Sequence, residues 1–401
     1  MRLSYVIVTR NRQDSLLKTL GILEENTRLP RHAWEAVVVD NASDDGSAEA
    51  ARRAFRDATV IGLEENEGMP GRNHGFKAAK GRYVCLIDDD SYPIGDAIPD
   101  ALHHLDRHQT TAAVVARVVN PGGTVEAPAM PCVLLGGASV IRKSVLDRLG
   151  GFSPEFFRQA EEYDLSFRFL AAGLKIERFE DVEFLHEKVP TGGRSSALVH
   201  RMDLRNNLIV AERFLPKGLR GEYRHDWTRR YASFAVADGH GDVVKGAMHE
   251  ARVWARREQQ VGRRTMSPAG LEAALGLKAQ AKAIAGWAKA TGARRVGIAD
   301  FSKNLYATYA GVLAAGLEPV AIVDPRAAVV GQSHRRLPIL DLASAVRLGI
   351  DGVVVSNINP AQVGKIEQAL RAGFDGPVLT LWEPRYLNGS APAPKIDVQA
   401  A

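Results

Sequence analysis

The arrangement of short hydrophobic runs in the first 190 residues limits the fold of this chain more than any other feature. Helical stretches such as 15–25 and 70–80 separate four nearly continuous apolar runs, which are LSYVIV, AVVVD, TVIGL and YVCLI. Strands that are buried on both faces have this composition, whereas strands with one face in water alternate apolar and polar residues. The pattern predicts an α/β domain built on a mainly parallel sheet.

Polar segments follow each of the four runs. They occur in VIVTRNR, VVVDNASDDGS, GLEENEGMPGRNHG and LIDDDS. The carboxyl ends of parallel strands meet at one edge of a sheet, and α/β sheets bind their ligands at that edge. We therefore expect residues from all four loops to converge on a single crevice.

The fourth strand ends in three adjacent carboxylates, Asp88, Asp89 and Asp90. Their mutual repulsion and their loss of hydration are both relieved by a divalent cation, and oxygen ligands suit Mg²⁺ or Mn²⁺. Successive strand residues point to opposite faces, so Asp88 and Asp90 can face the same way. The triplet predicts a metal site; a solvated acidic turn is the alternative.

Two other loops carry groups suited to a nucleotide. Asp40 closes a buried strand, where a carboxylate can hydrogen-bond a nucleobase or a ribose hydroxyl. Gly68 and Gly71 allow close backbone approach to a ligand, and Arg72 adds positive charge at the start of a helix, a position that favours phosphate. A helix-capping role for both loops is the alternative.

These motifs, with a later segment, resemble the family 2 glycosyltransferases. The resemblance covers roughly residues 2 to 215 and includes VVVDNASDDGS, GRNHGFKAAKGRYVCLIDDD and GGASVIRKSVLDRLGGFSPEFFRQAEEYDLSFRFLAAGLKIERFEDVEFLHE. It is greatest to the rhamnosyltransferase-like branch. The resemblance implies a GT-A fold, an inverting mechanism, and transfer of a hexose or deoxyhexose from a nucleoside diphosphate donor.

The resemblance also implies roles for particular residues. The implied donor-binding residues are Thr9, Arg10, Asn11, Asp40, Asn66, Gly68, Arg72, Asp88 and Asp89. The implied metal ligands are Asp90, Asp88 and His186. The alternative for His186 is a structural histidine at the end of a strand.

The implied catalytic acids lie at the start of an apparent helix, EEYDLSFRFLAAG. Glu162 falls where the family usually has its general base, one methylene longer than the commoner Asp. Glu161 and Asp164 are the other candidates, and ordinary first-turn acids are the alternative for all three. A loop follows His186 over residues 187–197 and contains Arg194. It is interpreted either as a lid over the diphosphate or as a plain connector.

The sequence predicts four segments. A catalytic domain spans 1–197, a basic helical connector 198–290, a smaller Rossmann-like α/β domain 291–385, and a disordered tail 386–401. The Rossmann-like segment has no GxGxxG after its first strand, and Asp324 after its second strand either holds a ribose or caps a turn. We expect this domain to have a structural or partner-binding role.

Charge and hydropathy limit the partners. Residues 201–264 contain 14 Lys or Arg against 8 Asp or Glu, an excess that exceeds the net charge of +5 for the whole chain. This connector is expected either to touch an anionic membrane surface or to pack between domains, while nucleic-acid binding is not favoured. The sequence has neither a signal-peptide pattern nor an apolar run of about 18 residues, so a cytoplasmic enzyme is expected, either free or peripheral at the inner membrane face.

The predicted reaction is sugar transfer to a hydroxyl of a glycan or glycolipid acceptor in the synthesis of a cell-surface polysaccharide. Two other interpretations remain open at this point. A nucleotidyltransferase on the same fold would release pyrophosphate, and a non-catalytic scaffold would bind a nucleotide sugar without turnover.

Overall fold

The computed structural model describes residues 1–189, 196–261 and 265–389. Among these residues the chain forms two compact units. Unit one comprises residues 1–128, 132–189 and 384–389, and unit two comprises residues 129–131, 196–261 and 265–383.

Unit one alternates strands and helices through its first half and becomes strand-rich in its second half. Its elements are β1 Leu3–Thr9, α1 Gln13–Asn26, β2 Trp34–Asp40, α2 Ser47–Ala54, β3 Thr59–Gly62, α3 Arg72–Ala78, β4 Tyr83–Asp88, β5 Ser91–Pro93, α4 Ala97–Arg107, β6 Thr111–Val119, β7 Val125–Glu126, β8 Ser139–Arg142, α5 Lys143–Leu149, α6 Glu161–Ala171 and β9 Lys175–His186.

These strands form one sheet in the order β3-β2-β1-β4-β8-β6-β9-β5, with β7 paired to β6. The first four strands are parallel, and β6 is parallel to β9. The pairs β4–β8, β6–β8, β6–β7 and β5–β9 are antiparallel. The predicted α/β domain is confirmed; its parallel part is the half with the four apolar runs, and the other half makes the sheet mixed.

The parallel strands are hydrophobic because helices cover them. Tyr5, Ile7 and Val38 belong to one core with Leu16 and Leu20 of α1. On α3, a Cβ at Gly75 would lie 2.6 Å from Cγ1 of Val6, so the glycine lets this helix approach β1 closely. The sheet is thereby fixed, and the loops at its carboxyl edge are held in place.

Unit two contains five helices followed by a second α/β arrangement. Its elements are α7 Ser196–Phe214, α8 Lys217–Ala237, α9 Val243–Val261, α10 Pro268–Leu275, α11 Leu277–Thr291, β10 Arg295–Ala299, α12 Leu305–Ala314, β11 Glu318–Val323, β12 Ser333–His334, β13 Leu337–Leu340, α13 Leu342–Arg347, β14 Gly352–Val355, α14 Val363–Arg371 and β15 Val378–Thr380.

The sheet of unit two has the order β12-β13-β11-β10-β14-β15 and is parallel except for the hairpin β12–β13. The turn after β10 is held by protein groups. The backbone N–H of Phe301 donates to Oδ2 of Asp324 at 2.8 Å, and Arg326 pairs with both Asp324 and Asp300. Asp324 is thus engaged by the turn itself, which supports the capping alternative.

The basic helices and this second sheet belong to the same unit. Trp227 of α8 is fully buried and donates its Nε1 hydrogen to the carbonyl of Lys303 at 2.8 Å. The chain then returns to unit one, where the N–H of Leu387 donates to Oδ1 of Asp181 at 2.9 Å. The sequence predicted neither the contact of Trp227 with Lys303 nor that of Leu387 with Asp181. The four segments with boundaries at 197, 290 and 385 stay a prediction.

Some predicted features fall on residues without a described structure. Residues 190–195 of the proposed lid, including Arg194, lie outside the described residues, as do residues 390–401 of the predicted tail. Within the described parts of the chain, no helix is both long enough and apolar enough to cross a bilayer.

Candidate active site

The parallel register brings three predicted site residues to one edge of the sheet of unit one. Thr9 lies opposite Asp40 in the β1–β2 pair, and Val8 lies opposite Asp88 in the β1–β4 pair. The loops that follow these strands therefore start side by side, as the sequence predicts.

The loops after β1 and β2 are hydrogen-bonded to each other. Asn11 adopts a left-handed backbone with φ 53°; its N–H donates to Oγ of Ser43 at 2.9 Å, and its Oδ1 accepts from the N–H of Asp44 at 2.9 Å. The carboxylate of Asp40 is buried and accepts hydrogen bonds from the N–H and hydroxyl of Ser43. Arg10 is exposed at the same edge.

The loop after β3 depends on a glycine. Gly68 has φ +69°, and a Cβ there would lie 2.2 Å from the carbonyl oxygen of Phe157. Its N–H donates to Oδ1 of Asn66 at 3.0 Å, and its carbonyl accepts from Nδ2 of Asn41 at 2.9 Å. Asn66 and Asn41 therefore shape this loop, and any other residue at 68 would clash.

The three aspartates divide between two sets of partners. Asp88 pairs with the guanidinium of Arg72, which is fully buried. Asp89 accepts from Oγ1 of Thr9 at 2.7 Å and pairs with Nη1 of Arg12 at 2.9 Å. Asp90 accepts from Nη2 of Arg12 at 2.6 Å. Two arginines, one just before α1 and one at the start of α3, thus offset the repulsion among the carboxylates.

Burial and these partners give the aspartates different acidities. Burial raises the pKa of Asp89 to about 7, against the opposing effect of Arg12. Burial would also raise the pKa of Asp90, but His186 and Arg12 hold it at about 2. Of Asp89 and Asp90, only Asp90 therefore stays fully ionised at neutral pH, which is the form that binds a metal.

Asp88, Asp90 and His186 form a group that fits a divalent metal. Each offers one ligand atom, and these atoms lie within 4.8 Å of one another. Nε2 of His186 lies 3.2 Å from Oδ1 of Asp90, yet that buried oxygen has no hydrogen bond among the described residues. A buried acceptor without a donor is costly, and a cation would satisfy it.

The other nitrogen of His186 has a carboxylate partner. Nδ1 lies 3.1 Å from Oε2 of Glu126, and Nζ of Lys188 lies 2.5 Å from Oε1 of the same glutamate. The contact with Glu126 directs Nε2 of the imidazole toward Asp90. Burial would lower the pKa of His186, but Asp90 and Asp88 raise it above its ordinary value.

A cavity lies beside Asp88 and His186 of this group and beside Glu162 of α6. It is lined by Met69, Asp88, Val118, Glu126, Leu135, Gly136, Gly137, Glu162 and His186. Gly136 provides room for Glu162, because a Cβ there would lie 3.0 Å from Oε1 of that glutamate. Glu162 therefore faces the same space as Asp88 and His186.

The two glutamates at the start of α6 differ in their surroundings. Glu161 is buried, its Oε2 has no hydrogen bond among the described residues, and burial together with Glu162 raises its pKa well above the ordinary value. Burial also raises the pKa of Glu162, with a contribution from Asp88. Gln159 and Ala160 turn the chain into this helix with φ 67° and 61°. Two successive left-handed non-glycine residues store strain of the kind found at functional sites.

Asp164 lies apart from the cavity. It is fully buried, accepts from Oγ of Ser153 at 2.7 Å, and pairs with Nη2 of Arg168 at 3.1 Å. Arg168 in turn donates to the carbonyl of Leu149 at 2.8 Å. These contacts attach α6 to the preceding loop, so Asp164 has a supporting position.

Two site residues were missed by the sequence reasoning. Arg12 stands in the quoted run VIVTRNR, but nothing in that run singles it out over Arg10. Glu126 belongs to a two-residue strand with no motif around it, and it meets His186 only because β6 pairs with both β7 and β9. A charge count of the first loop indicates Arg10 and Arg12 alike, whereas no local signal indicates Glu126.

Comparison with known proteins assigns the first part of the chain. The family model described as glycosyl transferase family 2 matches residues 4–167. Residues 4–167 form a family 2 glycosyltransferase domain. This confirms the predicted family, and the α/β sheet together with this match confirms the GT-A domain; the rhamnosyltransferase-like branch stays a prediction.

The family 2 domain has curated relatives that are much longer than the matched region. The chain is 24% identical over 268 residues to the poly(ribitol-phosphate) β-N-acetylglucosaminyltransferase TarS of Staphylococcus aureus, covering 61% of this chain and 47% of TarS. It is 32% identical over 103 residues to a poly(ribitol-phosphate) β-glucosyltransferase of Bacillus spizizenii, covering 24% and 16% of the two chains. The matched region thus spans about half the length of TarS.

Solved structures with a similar arrangement include residues 1–349 of S. aureus TarS in complex with UDP-GlcNAc. That match has a TM-score of 0.49 and 16% identity, and covers 79% of this chain and 93% of that one. The mannosyltransferase PcManGT of Pyrobaculum calidifontis, in complex with GDP-Man and Mn²⁺, has a TM-score of 0.44 and 21% identity, covering 78% and 85%.

Proposed function

We propose that this protein is an inverting, metal-dependent glycosyltransferase that moves a sugar from a nucleoside diphosphate donor to a hydroxyl of a polymeric acceptor. The observation that carries the proposal is the shared cavity, in which the carboxylate of Glu162 faces Asp88 and His186 of the metal-type group. Displacement at an anomeric carbon requires a proton acceptor for the attacking hydroxyl and positive charge for the leaving diphosphate, and a candidate for each lines this cavity.

The donor diphosphate lies at the carboxyl edge of the sheet in this proposal. Asp88, Asp90 and His186 would hold Mn²⁺ or Mg²⁺, which supplies Lewis-acid stabilisation of the charge on the leaving diphosphate. Arg72 and Arg12 contribute fixed positive charge near the same carboxylates. The nucleoside contacts assigned to Thr9, Arg10, Asn11, Asp40, Asn66, Gly68 and Asp89 remain predictions.

Glu162 is the proton acceptor in this mechanism. The acceptor hydroxyl gives its proton to the Glu162 carboxylate and forms a new bond to the anomeric carbon. The bond from that carbon to the diphosphate oxygen breaks on the opposite face, and the nucleoside diphosphate leaves with the electron pair. Burial raises the pKa of Glu162, with a contribution from Asp88, so that Glu162 takes up a proton more readily than an exposed glutamate.

The names of two relatives support one class of acceptor. TarS and the Bacillus enzyme are named for transfer to poly(ribitol-phosphate). We extend this to the present chain as a polyol-phosphate polymer, which refines the glycan or glycolipid acceptor expected from the sequence. A cytoplasmic location, with possible peripheral contact at the membrane, belongs to the same proposal.

The experiment is product analysis with UDP-, GDP- and dTDP-sugars in the presence of poly(ribitol phosphate), with Mn²⁺, with Mg²⁺ and with EDTA. The proposal expects one donor to yield its nucleoside diphosphate in a metal-dependent manner, with the sugar recovered on the polymer. Release of pyrophosphate would replace the proposal by a nucleotidyltransferase. Donor binding without turnover in every arm would replace it by a nucleotide-sugar-binding scaffold.

A further inference from the structure

The outward face of α9 in unit two carries an unbroken row of basic side chains. Lys245, His249, Arg252 and Arg256 are all exposed. Their spacing of four, three and four residues places them on one stripe of the helix, which at 1.5 Å per residue extends roughly 16 Å. These four residues are called the α9 basic face below.

The orientation of α9 is fixed by its packing on α7. Ala247 and Ala251 of α9 form a buried cluster with Leu204 and Leu208 of α7. The α9 basic face lies on the opposite side of the helix from these alanines, so it points away from the core of its unit.

The acids of α9 do not neutralise this face. Glu250 pairs with Nη2 of Arg201 at 2.5 Å and with Nε of Arg205 at 3.2 Å. Glu258 is buried and pairs with Arg213 at 2.5 Å. All three arginines are on α7, so both carboxylates of the helix are engaged on its inner side.

The four basic residues keep their charge facing solvent. Across the described parts of the chain, no carboxylate pairs with Lys245, His249, Arg252 or Arg256; the acid closest to them in sequence on this side is Asp242, just before the helix begins. A solvated helix face normally mixes charges of both signs, because like charges one turn apart repel. A row of cations that excludes acids is suited to a ligand with repeated negative charge.

We propose that the α9 basic face binds the acceptor polymer through its repeated phosphodiester charges. This inference rests on the proposed function, which it deepens by assigning the acceptor's negative charge to a surface of unit two. An extended phosphodiester chain complements a linear row of cations along a helix. The attraction is between exposed charges, so it weakens as salt is added.

An anionic membrane fits this surface less well than a polymer. Helices that adsorb to membranes insert an apolar face between the lipids. The apolar side of α9 packs on α7, and within the described residues none of the exposed large hydrophobic side chains belongs to α9. Vesicle binding is therefore an outcome that the test has to separate from polymer binding.

The test uses the full chain with three charge reversals, Lys245→Glu, Arg252→Glu and Arg256→Glu. The matched control reverses three exposed lysines on α11, Lys278→Glu, Lys282→Glu and Lys289→Glu, with the same change in net charge. Binding is measured by calorimetry at rising NaCl with poly(ribitol phosphate), with uncharged dextran, and with vesicles containing anionic lipid.

We expect the affinity of the wild type for poly(ribitol phosphate) to fall as NaCl is added. The α9 variant should lose at least tenfold in this affinity, whereas the α11 control should change by less than twofold. Equal affinity of the α9 variant and the α11 control for poly(ribitol phosphate) would overturn the proposal. It would also be overturned if the α9 variant lost vesicle binding but kept its polymer binding. Donor binding with Mn²⁺ separates the two proposals, because the α9 variant should keep the wild-type donor affinity. If the wild type releases no nucleoside diphosphate with donor, metal and polymer together, the proposed function fails while the polymer-binding result still stands.

Discussion

At the scale of single residues, the candidate site is a set of ionic groups that neutralise one another. Arg72 and Arg12 bind the aspartates directly, whereas Glu126 acts on the predicted metal site through His186. Carboxylate partners of this kind fix the tautomer and orientation of a metal-binding imidazole. We therefore expect Glu126 to act as a positioning residue for the proposed metal site.

The change Glu126→Gln tests this role, because it keeps the size of the side chain and weakens the acceptor for His186. We expect Mn²⁺ affinity, measured by electron paramagnetic resonance titration, to fall about 10- to 100-fold. Glu177→Gln is the matched control. Glu177 is on β9 of the same sheet, its Oε2 lies 2.9 Å from Nε2 of His104, and it is outside the cavity. Equal Mn²⁺ affinity in the two variants would exclude the positioning role.

The pH profile of transfer tests the proton acceptor. Burial raises the pKa of Glu162 above 4.5, and a base works only when it is ionised. Activity should therefore be complete at high pH and be lost as the pH falls through this raised pKa. The measurement is kcat/KM against pH at saturating metal. A midpoint at or below 4.5 would contradict the environment described for Glu162.

At the scale of elements, glycine placement decides whether the loop after β3 can form. At Gly68 two constraints coincide: a positive φ and the carbonyl of Phe157, 2.2 Å from the position of a Cβ. At Gly123 the φ is +72° but nothing lies within 4 Å of a Cβ. Comparing alanine at the two positions separates backbone strain from steric overlap.

We expect Gly123→Ala to lower the free energy of unfolding by about 1–2 kcal/mol, the cost of a left-handed non-glycine residue. Gly68→Ala should cost more and should also weaken donor binding, because the loop must move away from Phe157. Urea unfolding and donor calorimetry measure the two effects. Equal destabilisation by both substitutions, with donor affinity unchanged, would contradict the close packing of this loop.

The sequence predicts some of the strands and contacts of unit one but not others. Apolar runs predicted β1 to β4, because strands that are buried on both faces have a recognisable hydrophobic composition, and the polar residues at the ends of these runs predicted the shared edge. The antiparallel half of the sheet was not predicted, since the composition of a short apolar strand does not reveal its direction. The contact of Glu126 with His186 depends on pairing across 60 residues, which local patterns do not contain.

At the scale of the whole molecule, each of the two compact units has its own hydrophobic core. The candidate site lies within unit one, and so does the family 2 match except for residues 129–131. In unit two, the core and the α8 helix are joined through Trp227, whose indole is buried and hydrogen-bonded to Lys303.

The change Trp227→Ala should therefore destabilise unit two by about 3–5 kcal/mol, the usual cost of removing a buried aromatic side chain. Differential scanning calorimetry should show the loss as an earlier unfolding transition. Addition of Mn²⁺ with whichever nucleoside diphosphate the transfer assay releases should raise the stability of unit one by ligand binding. An unchanged transition temperature in the variant would show that Trp227 does not hold α8 to this core.

The central claim is that Glu162 takes the proton in a cavity that it shares with two proposed metal ligands, Asp88 and His186. The most direct measurement is the rate of sugar transfer by Glu162→Gln, with metal-dependent donor binding measured on the same sample. The account predicts that donor binding stays within about threefold of wild type while transfer falls about 10²- to 10⁴-fold, the usual contribution of a general base. Transfer at the wild-type rate would contradict the claim.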